Sequence, residues 1–506
     1  MRSTNRLVVA LLASALLSTA CGARLSDEQR SEALSQFGSG GGGGGSSLTE
    51  GGGDTAADPL AAGPEATAGA ATGPATSGTT GGTAGTAGTA GSAGSSGTAA
   101  GGAKDTRAAP PGGNGGATDK GITADTIVVN NVSDISGAVP GLFEDAQLAA
   151  KAYVAYFTAK EGTIYGRKLK LLALDSRLDA GANRSASLEA CAKSFAGAGS
   201  VSAYDQGGAP VIKDCGIPDL RGLSTTNEMK VVPNAYPINA AGTGGARSLG
   251  MFGWAKDKFP DAVKKAAYVY IDGEVTRTLA EEDMEGTAKI LGYDWIFSSA
   301  IGITETNYGP VVRQLKSRGA EYVTFTGAYQ QAAALAKEFK AQSYAPKVWQ
   351  PTVTAYTPDY IKQAGDAAEG TYIAVTASLN EEIAQNKELQ TYAQWLNQVA
   401  PGKTPTGIGQ FSWGAMALFV EKMKEIGPKP TRKALLATIP KVRNYTGNGL
   451  FPGQDVGGKE LASCTKIVQV RGGKFVRFLP EAPGSNRCVD KVYDTKTKTA
   501  KEGFPD

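Results

Sequence analysis

TIVVNNVSDISGAVPGLFEDAQLAAKAYVAYFTAKEGTIYGRKLKLLALD (126–175) contains the pattern from which the fold class is predicted. It begins with a β-branched apolar run at 126–132 and ends with a second apolar run at 169–175. Between them, the segment from Phe143 to Lys160 has an apolar face, and Gly162 is a helix stop signal. Two strands separated by one helix predict a β-α-β unit with parallel strands.

The same alternation of strands and helices continues along the chain. A helix at 182–195 and strands at 200–204 and 217–223 extend the first unit. A second series of helices and strands begins with a helix predicted at 246–259. Its clearest strands are AAYVYI (266–271), YDWIFSSAI (293–301) and EYVTFTG (321–327). This rhythm predicts an α/β fold in which two units of similar size each contain a doubly wound parallel sheet.

The chain has five cysteines, and four of them form two equally spaced pairs, Cys191 with Cys215 and Cys464 with Cys488. None belongs to a CxxC motif, so a zinc or redox site is not indicated. We predict two structural disulfides and therefore an oxidising compartment. The alternative is four free buried thiols. The second pair brackets KIVQVRGGKFVRF (466–478), which predicts a β-hairpin turning at two adjacent glycines.

Composition excludes several classes of function. The 506 residues include no histidine, which rules out His-based triads, HExxH zinc sites and Cys/His zinc fingers. The net charge is only +3 and no basic stripe is present, so we expect no nucleic-acid partner. There is no GxxxxGK[ST] motif, and GTGGAR (242–247) lacks the third glycine of a dinucleotide fingerprint. We therefore expect no cofactor and no metal.

The N-terminal region predicts an export signal and a tether. Two arginines precede an apolar run at 7–17 that is too short to span a membrane, so residues 1–20 predict a secretory signal peptide. The sequence STA before Cys21 resembles a bacterial lipobox, in which this cysteine carries the lipid; the alternative is ordinary cleavage that leaves a free thiol. Residues 21–118 are rich in Gly, Ala, Thr and Ser and predict a disordered, lipid-anchored linker. The alternative is a tolerated insertion without a role.

Several segments resemble the type I periplasmic-binding-protein family and, within it, the branched-chain amino-acid (Leu/Ile/Val-type) substrate-binding lipoproteins of ABC importers. They are GRKLKLLALD (166–175), CGIPDLRGLSTTNE (215–228), NYGPVVRQLKSRGAEYVTFTG (307–327) and FSWGAMALFVEKMKEIG (411–427). The resemblance extends over about residues 121–480. The second segment is similar to a strand that ends in a Ser/Thr-rich ligand loop in this family. The resemblance also implies a first-lobe disulfide at Cys191 and Cys215.

The family resemblance implies two Rossmann-like lobes joined by three crossover segments. The expected crossovers are Ile238–Gly245, Ala377–Glu382 and Arg443–Gly449. The expected division of the chain is an N-terminal lobe of 119–240 plus 383–445, a C-terminal lobe of 241–382 plus 446–490, and a tail of 491–506.

The same resemblance implies a non-enzymatic receptor. Its lobes would close on a small polar solute, such as an amino acid, and deliver the solute to an ABC permease. The protein would act as a monomer on the outer face of the bacterial cytoplasmic membrane, anchored by lipid on Cys21. Two alternatives remain open: a sensor or scavenger of the same fold without a transporter, and a secreted enzyme that uses carboxylates or lysine.

Candidate ligand residues follow the predicted strands, because open α/β sheets bind ligands beyond the carboxyl ends of their strands. The first-lobe candidates are Ser133, Asp134, Ser136, Tyr204, Asp205, Gln206, Ser224, Thr225, Thr226 and Asn227. The second-lobe candidates are Asp272, Glu274, Tyr329 and Gln350. The two second-lobe carboxylates could pair with an ammonium group, and the tyrosine could stack on the ligand. For each candidate the alternative is a helix cap, a turn or a solvated loop.

Overall fold

The computed structural model describes residues 106–240, 245–460, 464–488 and 491–502. The strands of the first sheet are β1 (Thr126–Ser133), β2 (Lys168–Asp175), β3 (Ala196–Ala198), β4 (Asp219–Leu223) and β5 (Ala235–Asn239). The later strands are β6 (Ala246–Ser248), β7 (Ala266–Ile271), β8 (Trp295–Ile301), β9 (Tyr322–Thr326), β10 (Val348–Pro351), β11 (Tyr372–Val375), β12 (Cys464–Arg471), β13 (Lys474–Leu479), β14 (Arg487–Cys488), β15 (Lys491–Asp494) and β16 (Thr499–Glu502).

Except between β5 and β6, helices alternate with these strands as far as β11, and three helices then follow one another. The helices of the first half are α1 (Glu144–Lys160), α2 (Ala180–Lys193), α3 (Ala209–Cys215), α4 (Asn227–Lys230), α5 (Gly250–Lys258) and α6 (Glu274–Gly286). The remaining ones are α7 (Gly309–Ser317), α8 (Tyr329–Ala341), α9 (Pro358–Ala364), α10 (Lys387–Val399), α11 (Gly407–Ile426) and α12 (Arg432–Thr438).

The first lobe is built on a parallel sheet with strand order β2-β1-β3-β4-β5. β1 and β2 pair over their whole length, with Thr126 opposite Lys168 and Ser133 opposite Asp175. The strand order reverses beside β1, which is the topological switch point of a doubly wound sheet. The predicted α/β fold is confirmed.

The third strand lies earlier in the sequence than we predicted. We expected it at 200–204, but β3 comprises the small residues Ala196–Ala198, and Val201 forms only an isolated bridge with Ser133. Gly199 has φ of 75°, a left-handed conformation that ends the strand. A side chain on Gly199 would also collide with Ser412 of α11, which packs against this edge.

The second lobe contains a parallel sheet of order β10-β9-β7-β8 and an antiparallel sheet of order β11-β12-β13. β12 and β13 form the predicted hairpin. Its turn residues, Gly472 and Gly473, have φ of 58° and 72°, which a two-residue hairpin turn requires at both central positions. The hairpin prediction is therefore confirmed.

The last described residues, which belong to the predicted tail at 491–506, form two strands, β15 and β16. β15 pairs with both β16 and β6, so β6 is a short strand where we predicted the start of a helix. Tyr493 of β15 is fully buried, and its ring lies against Gly286 at the end of α6. This contact leaves no room for a side chain at position 286.

Residues that follow the predicted third crossover at 443–449 contact the first lobe. The ring of Phe451 packs at a tilt against Phe411 of α11, with 5.1 Å between ring centroids, and α11 packs on the first lobe. The Nζ of Lys459 donates a hydrogen bond of 2.6 Å to the backbone oxygen of Val232, also in the first lobe. These contacts join Phe451 and Lys459 to the first lobe, and the lobe boundaries stay a prediction.

The folded body begins before the predicted linker boundary at residue 118. Arg167, which is 1% exposed, donates hydrogen bonds of 2.6 Å and 2.9 Å to the backbone oxygens of Asn114 and Gly116. A buried guanidinium needs such acceptors, and the residues before 118 supply them. The predicted signal peptide, Cys21 and the linker as far as residue 105 lie outside the described residues.

Both predicted cysteine pairs are disulfides in the structure. Cys191 of α2 is bonded to Cys215 at the end of α3, and Cys464 of β12 is bonded to Cys488 of β14. Within the described ranges, no helix combines the length and the apolar character needed to cross a membrane.

Candidate functional site

A cavity lies between the two lobes, at the carboxyl ends of strands from both parallel sheets. We call it the interlobe cavity; it offers about 200 Å³ to water-sized molecules. The residue after β4 and the last residue of β9, Ser224 and Thr326, face it from opposite lobes. Its apolar wall consists of Leu223, Met251, Leu279, Val353, Ile408 and Phe411. Facing sheet ends of this kind are where α/β proteins bind small molecules.

Two hydroxyl groups in the interlobe cavity have no partner among the described residues. The Oγ of Ser224 and the Oγ1 of Thr225 are buried without a hydrogen bond, although both line the cavity. Buried polar atoms in folded proteins are almost always hydrogen-bonded, so two adjacent unpaired hydroxyls mark a place where a solute can bind.

The buried carboxylate of Asp205 fixes the loop that carries these hydroxyls. The carboxylate accepts hydrogen bonds of 2.9 Å from the backbone N–H groups of Thr225 and Thr226, and one of 2.6 Å from the Thr226 hydroxyl. Arg221 forms ion pairs with Asp205 at 3.2 Å and with Asp219 at 2.8 Å. Burial raises the pKa of Asp205, and Arg221 opposes this shift. Asp205 and Thr226 thus shape the loop.

Lys230, at the end of α4, brings a positive charge to the same cavity. Its side chain is 8% exposed, and its ammonium forms no hydrogen bond or ion pair with any residue that the structure describes. Burial, together with the nearby Arg247, lowers the pKa of Lys230 to about 8. A lysine that is largely buried and has no ion pair favours an anion as its partner.

The opposite wall of the cavity carries an ion pair that is already satisfied. The Nη2 of Arg247 lies 2.7 Å from Oδ1 of Asp283, and the Tyr268 hydroxyl donates a hydrogen bond of 2.9 Å to the other carboxylate oxygen. That hydroxyl also lies 2.8 Å from Oγ1 of Thr326. Sequence reasoning singled out none of these residues.

The predicted site residues at the end of β1 and in the loop after it form hydrogen bonds within the first lobe. Asp134 is fully buried, and its carboxylate accepts four hydrogen bonds, from two backbone N–H groups and from the hydroxyls of Ser176 and Ser202. The Ser133 hydroxyl donates to a neighbouring asparagine, and exposed Ser136 donates to Asp175 at 2.6 Å. None of the three predicted residues lines the interlobe cavity, so we assign them to the architecture of the loop.

Four predicted residues lie beside the cavity, at a contact between the lobes. Gln206, Asn227 and Glu274 line a smaller pocket of about 70 Å³. That pocket shares Thr225, Lys230 and Leu279 with the interlobe cavity. The hydroxyl of Tyr204 lies 3.3 Å from the point where a side chain would begin at Gly273 of the second lobe.

The other second-lobe candidates are dispersed. Asp272 is on the surface, 54% exposed and paired with Arg277 at 2.6 Å. Gln350 is buried behind the cavity wall, where it accepts a hydrogen bond from Trp254 and donates one to the backbone oxygen of Met251. Neither of these two candidates therefore contacts the cavity. Tyr329 lines a second cavity of about 270 Å³, which shares three wall residues with the first.

Comparisons with known proteins agree with this architecture. The sequence from 126 to 474 matches the family described as periplasmic binding protein. No curated protein sequence matched the chain. A leucine-binding protein, LivK, from Thermotoga maritima is 16% identical with a TM-score of 0.57, over 70% of this chain and 98% of that one.

Two further solved structures share the fold. A fatty acid ABC transporter substrate-binding protein from Thermomonospora curvata is 18% identical with a TM-score of 0.59, over 77% of this chain and 97% of that one. A solute-binding protein from R. palustris, in complex with 4-hydroxybenzoate, is 16% identical with a TM-score of 0.57, over 75% of this chain and 98% of that one.

The match spans more than half of the sequence, and this chain belongs to the periplasmic binding protein family. Members of this family are solute-binding proteins that work outside the cytoplasm. Within the described residues, no group of three or more cysteine, aspartate or glutamate side chains is arranged to hold a metal ion.

Proposed function

We propose that this protein is an extracytoplasmic receptor that closes its two lobes on a small solute and delivers it to an ABC importer without chemical change. The observation that carries the proposal is the interlobe cavity, in which Ser224 and Thr225 present unpaired hydroxyls beside an apolar wall. Hinge closure would turn binding into a change of shape that a permease can recognise.

The site in this proposal is narrower than the set of residues suggested by sequence. Ser224, Thr225 and Lys230 would contact the solute directly, with Asp205 and Thr226 holding the loop. Tyr204, Gln206, Asn227 and Glu274 would hold the two lobes together at their contact beside the cavity. The related structures named above concern leucine, a fatty acid and 4-hydroxybenzoate, so they leave the solute of this chain open.

A thermal-shift screen of small amino acids, amides and organic acids tests the proposal. A solute at 100 times its Kd should stabilise the protein by about 2.7 kcal/mol. Leu279→Trp, which fills the cavity, should abolish the shift. Leu188→Trp is the matched control, because Leu188 is 52% exposed on α2 and lies outside the cavity. If no solute shifts the midpoint, or if the two variants behave alike, the proposed function is wrong.

The location and the anchor are also part of the proposal. Cys21 would carry the lipid, and the Gly-rich linker would hold a monomeric receptor near the permease. Mass spectrometry of the mature N-terminus should find a lipid on the cysteine, and Cys21→Ser should release the protein into the medium. An unmodified cysteine in the mature protein would remove the anchor from the proposal.

A further inference from the structure

The interlobe cavity contains one cation that the protein leaves without a partner. Lys230 and Arg247 both line it, but Arg247 is neutralised by Asp283 at 2.7 Å. The ammonium of Lys230 has no such partner among the described residues, although its side chain is only 8% exposed. Keeping a buried charge unpaired is costly, and the cost is offset when a ligand supplies the opposite charge.

Hydrogen-bond donors accompany this cation. The hydroxyls of Ser224 and Thr225 belong to the turn directly before α4, and Lys230 is the last residue of that helix. All three side chains line the same cavity. An ammonium and two hydroxyls together can satisfy both oxygens of a carboxylate.

The cavity offers no comparable partner for an ammonium group. Asp283 is its one carboxylate among the residues that the structure describes, and Arg247 and Tyr268 already occupy both oxygens of that carboxylate. The rest of the wall is mainly apolar, with Met251, Leu279 and Phe411 among its members. A ligand with a charged head and an apolar body matches this distribution.

We propose that the solute is a small organic carboxylate with an apolar body and no ammonium group, bound through Lys230, Ser224 and Thr225. This inference rests on the proposed function and specifies its substrate class. It departs from the amino acid that the sequence resemblance implies, because the cavity holds an unpaired cation, while Glu228, Glu274 and Glu282 line the smaller adjoining pocket and not the cavity.

Matched probes separate the carboxylate from the rest of the ligand. We would titrate the full chain by calorimetry with 4-methylpentanoate, leucine and 4-methylpentanamide, and with phenylacetate, phenylglycine and phenylacetamide. Within each set the apolar body is constant, and only the head group changes. At least one acid should bind more than tenfold tighter than both its amino acid and its amide.

Variants then test the role of the lysine. Lys230→Met should weaken binding of the acid by at least 100-fold while changing that of the amide by less than threefold. Lys459→Met is the control, because Lys459 donates to a backbone oxygen and lies 4.6 Å from the Tyr236 ring, outside the cavity. The control should bind the acid as the wild type does.

The possible outcomes distinguish an error in the proposed substrate class from an error in the proposed function. If leucine, phenylglycine or an amide binds more tightly than its acid, or if Lys230→Met binds the acid unchanged, the substrate class is wrong and solute binding stands. If neither acid binds, the substrate class is again wrong. If the broad solute screen also finds no ligand, the proposed function itself is wrong. Comparison of the probes on the wild type decides the matter even if the lysine variant does not fold.

Discussion

The carboxylate of Asp205 lies beneath Thr225 and accepts a hydrogen bond of 2.9 Å from its backbone N–H. Through this contact, a fully buried side chain of the first lobe fixes the direction of the loop that carries the unpaired hydroxyls. Asp205→Ala would leave Arg221 with a reduced set of partners and two backbone N–H groups without an acceptor. We expect a loss of about 3–5 kcal/mol in the free energy of unfolding.

Urea denaturation measures this loss, and Asp272→Ala is the matched control. Asp272 also pairs with an arginine, but the pair is about half exposed, so its removal should cost less than about 1 kcal/mol. Equal effects of the two substitutions would contradict the assignment of Asp205 as the support of the loop.

Lys230→Met should stabilise the protein in the absence of solute. The pKa of this lysine is about 8 in the folded protein against an ordinary value of 10.5, so the folded state disfavours its charge. The cost is fully present below pH 8 and disappears as the pH rises towards 10.5. At pH 7 the variant should therefore be more stable by about 2–3 kcal/mol.

Denaturant titrations of the wild type and of Lys230→Met at pH 7 and pH 10 test whether the substitution stabilises the protein. The advantage of the variant should shrink at pH 10, because the wild-type lysine is then neutral when folded. Other buried lysines contribute equally to both proteins and cancel in the difference. A variant that is less stable than the wild type at pH 7 contradicts the account.

Binding of an organic acid should depend on pH only in the alkaline range. The charged groups near Lys230 include Arg247, Asp205, Asp283 and three glutamates that share a pocket with it, Glu228, Glu274 and Glu282, and the sequence has no histidine. Affinity should be constant between about pH 6 and 7.5 and should fall by about tenfold per pH unit above 8, where the lysine loses its proton. Calorimetry across this range should show no such fall for Lys230→Met.

Substitutions of Ser224 and Ser133 distinguish a serine that binds the solute from one that stabilises the first lobe. Ser224→Ala removes an unpaired hydroxyl, so affinity should fall by about tenfold while stability is unchanged or slightly higher. Ser133→Ala removes a hydroxyl that donates to Asn131 at 2.7 Å and accepts from the Val201 N–H at 3.2 Å. It should lower stability by about 1 kcal/mol and leave affinity unchanged. If Ser133→Ala lowers affinity and Ser224→Ala lowers stability instead, Ser133 belongs to the binding site.

The alternation of strands with long helices follows from sequence because its signals are local. The helix predicted at Phe143–Lys160 is α1 (Glu144–Lys160), and the hairpin at 466–478 turns where two glycines permit it. The strands β3 and β6 were not predicted because three residues are too few to show the alternation of apolar and polar side chains that indicates a strand. β6 needs its partner β15, nearly 250 residues away, and that pairing leaves no trace in the local sequence.

The site was only partly predictable for a related physical reason. Ser224 and Thr225 stand in a Ser/Thr loop after a strand, and the sequence indicates that loop directly. A loop aspartate has the same sequence signal whether it binds a solute or accepts backbone N–H groups, as Asp134 and Asp205 do. Lys230 follows polar residues in a single helical turn, a pattern that is typical of an exposed helix. The sequence therefore does not indicate that Lys230 is buried where the two lobes meet.

The most direct test of the account is a crystal structure of the full chain with a bound organic acid. We predict that the carboxylate lies within hydrogen-bonding distance of Nζ of Lys230 and of the hydroxyls of Ser224 and Thr225, with the apolar body against Leu279 and Phe411. A solute bound elsewhere, for example beside Tyr329 with Lys230 still unpaired, would contradict the central claim.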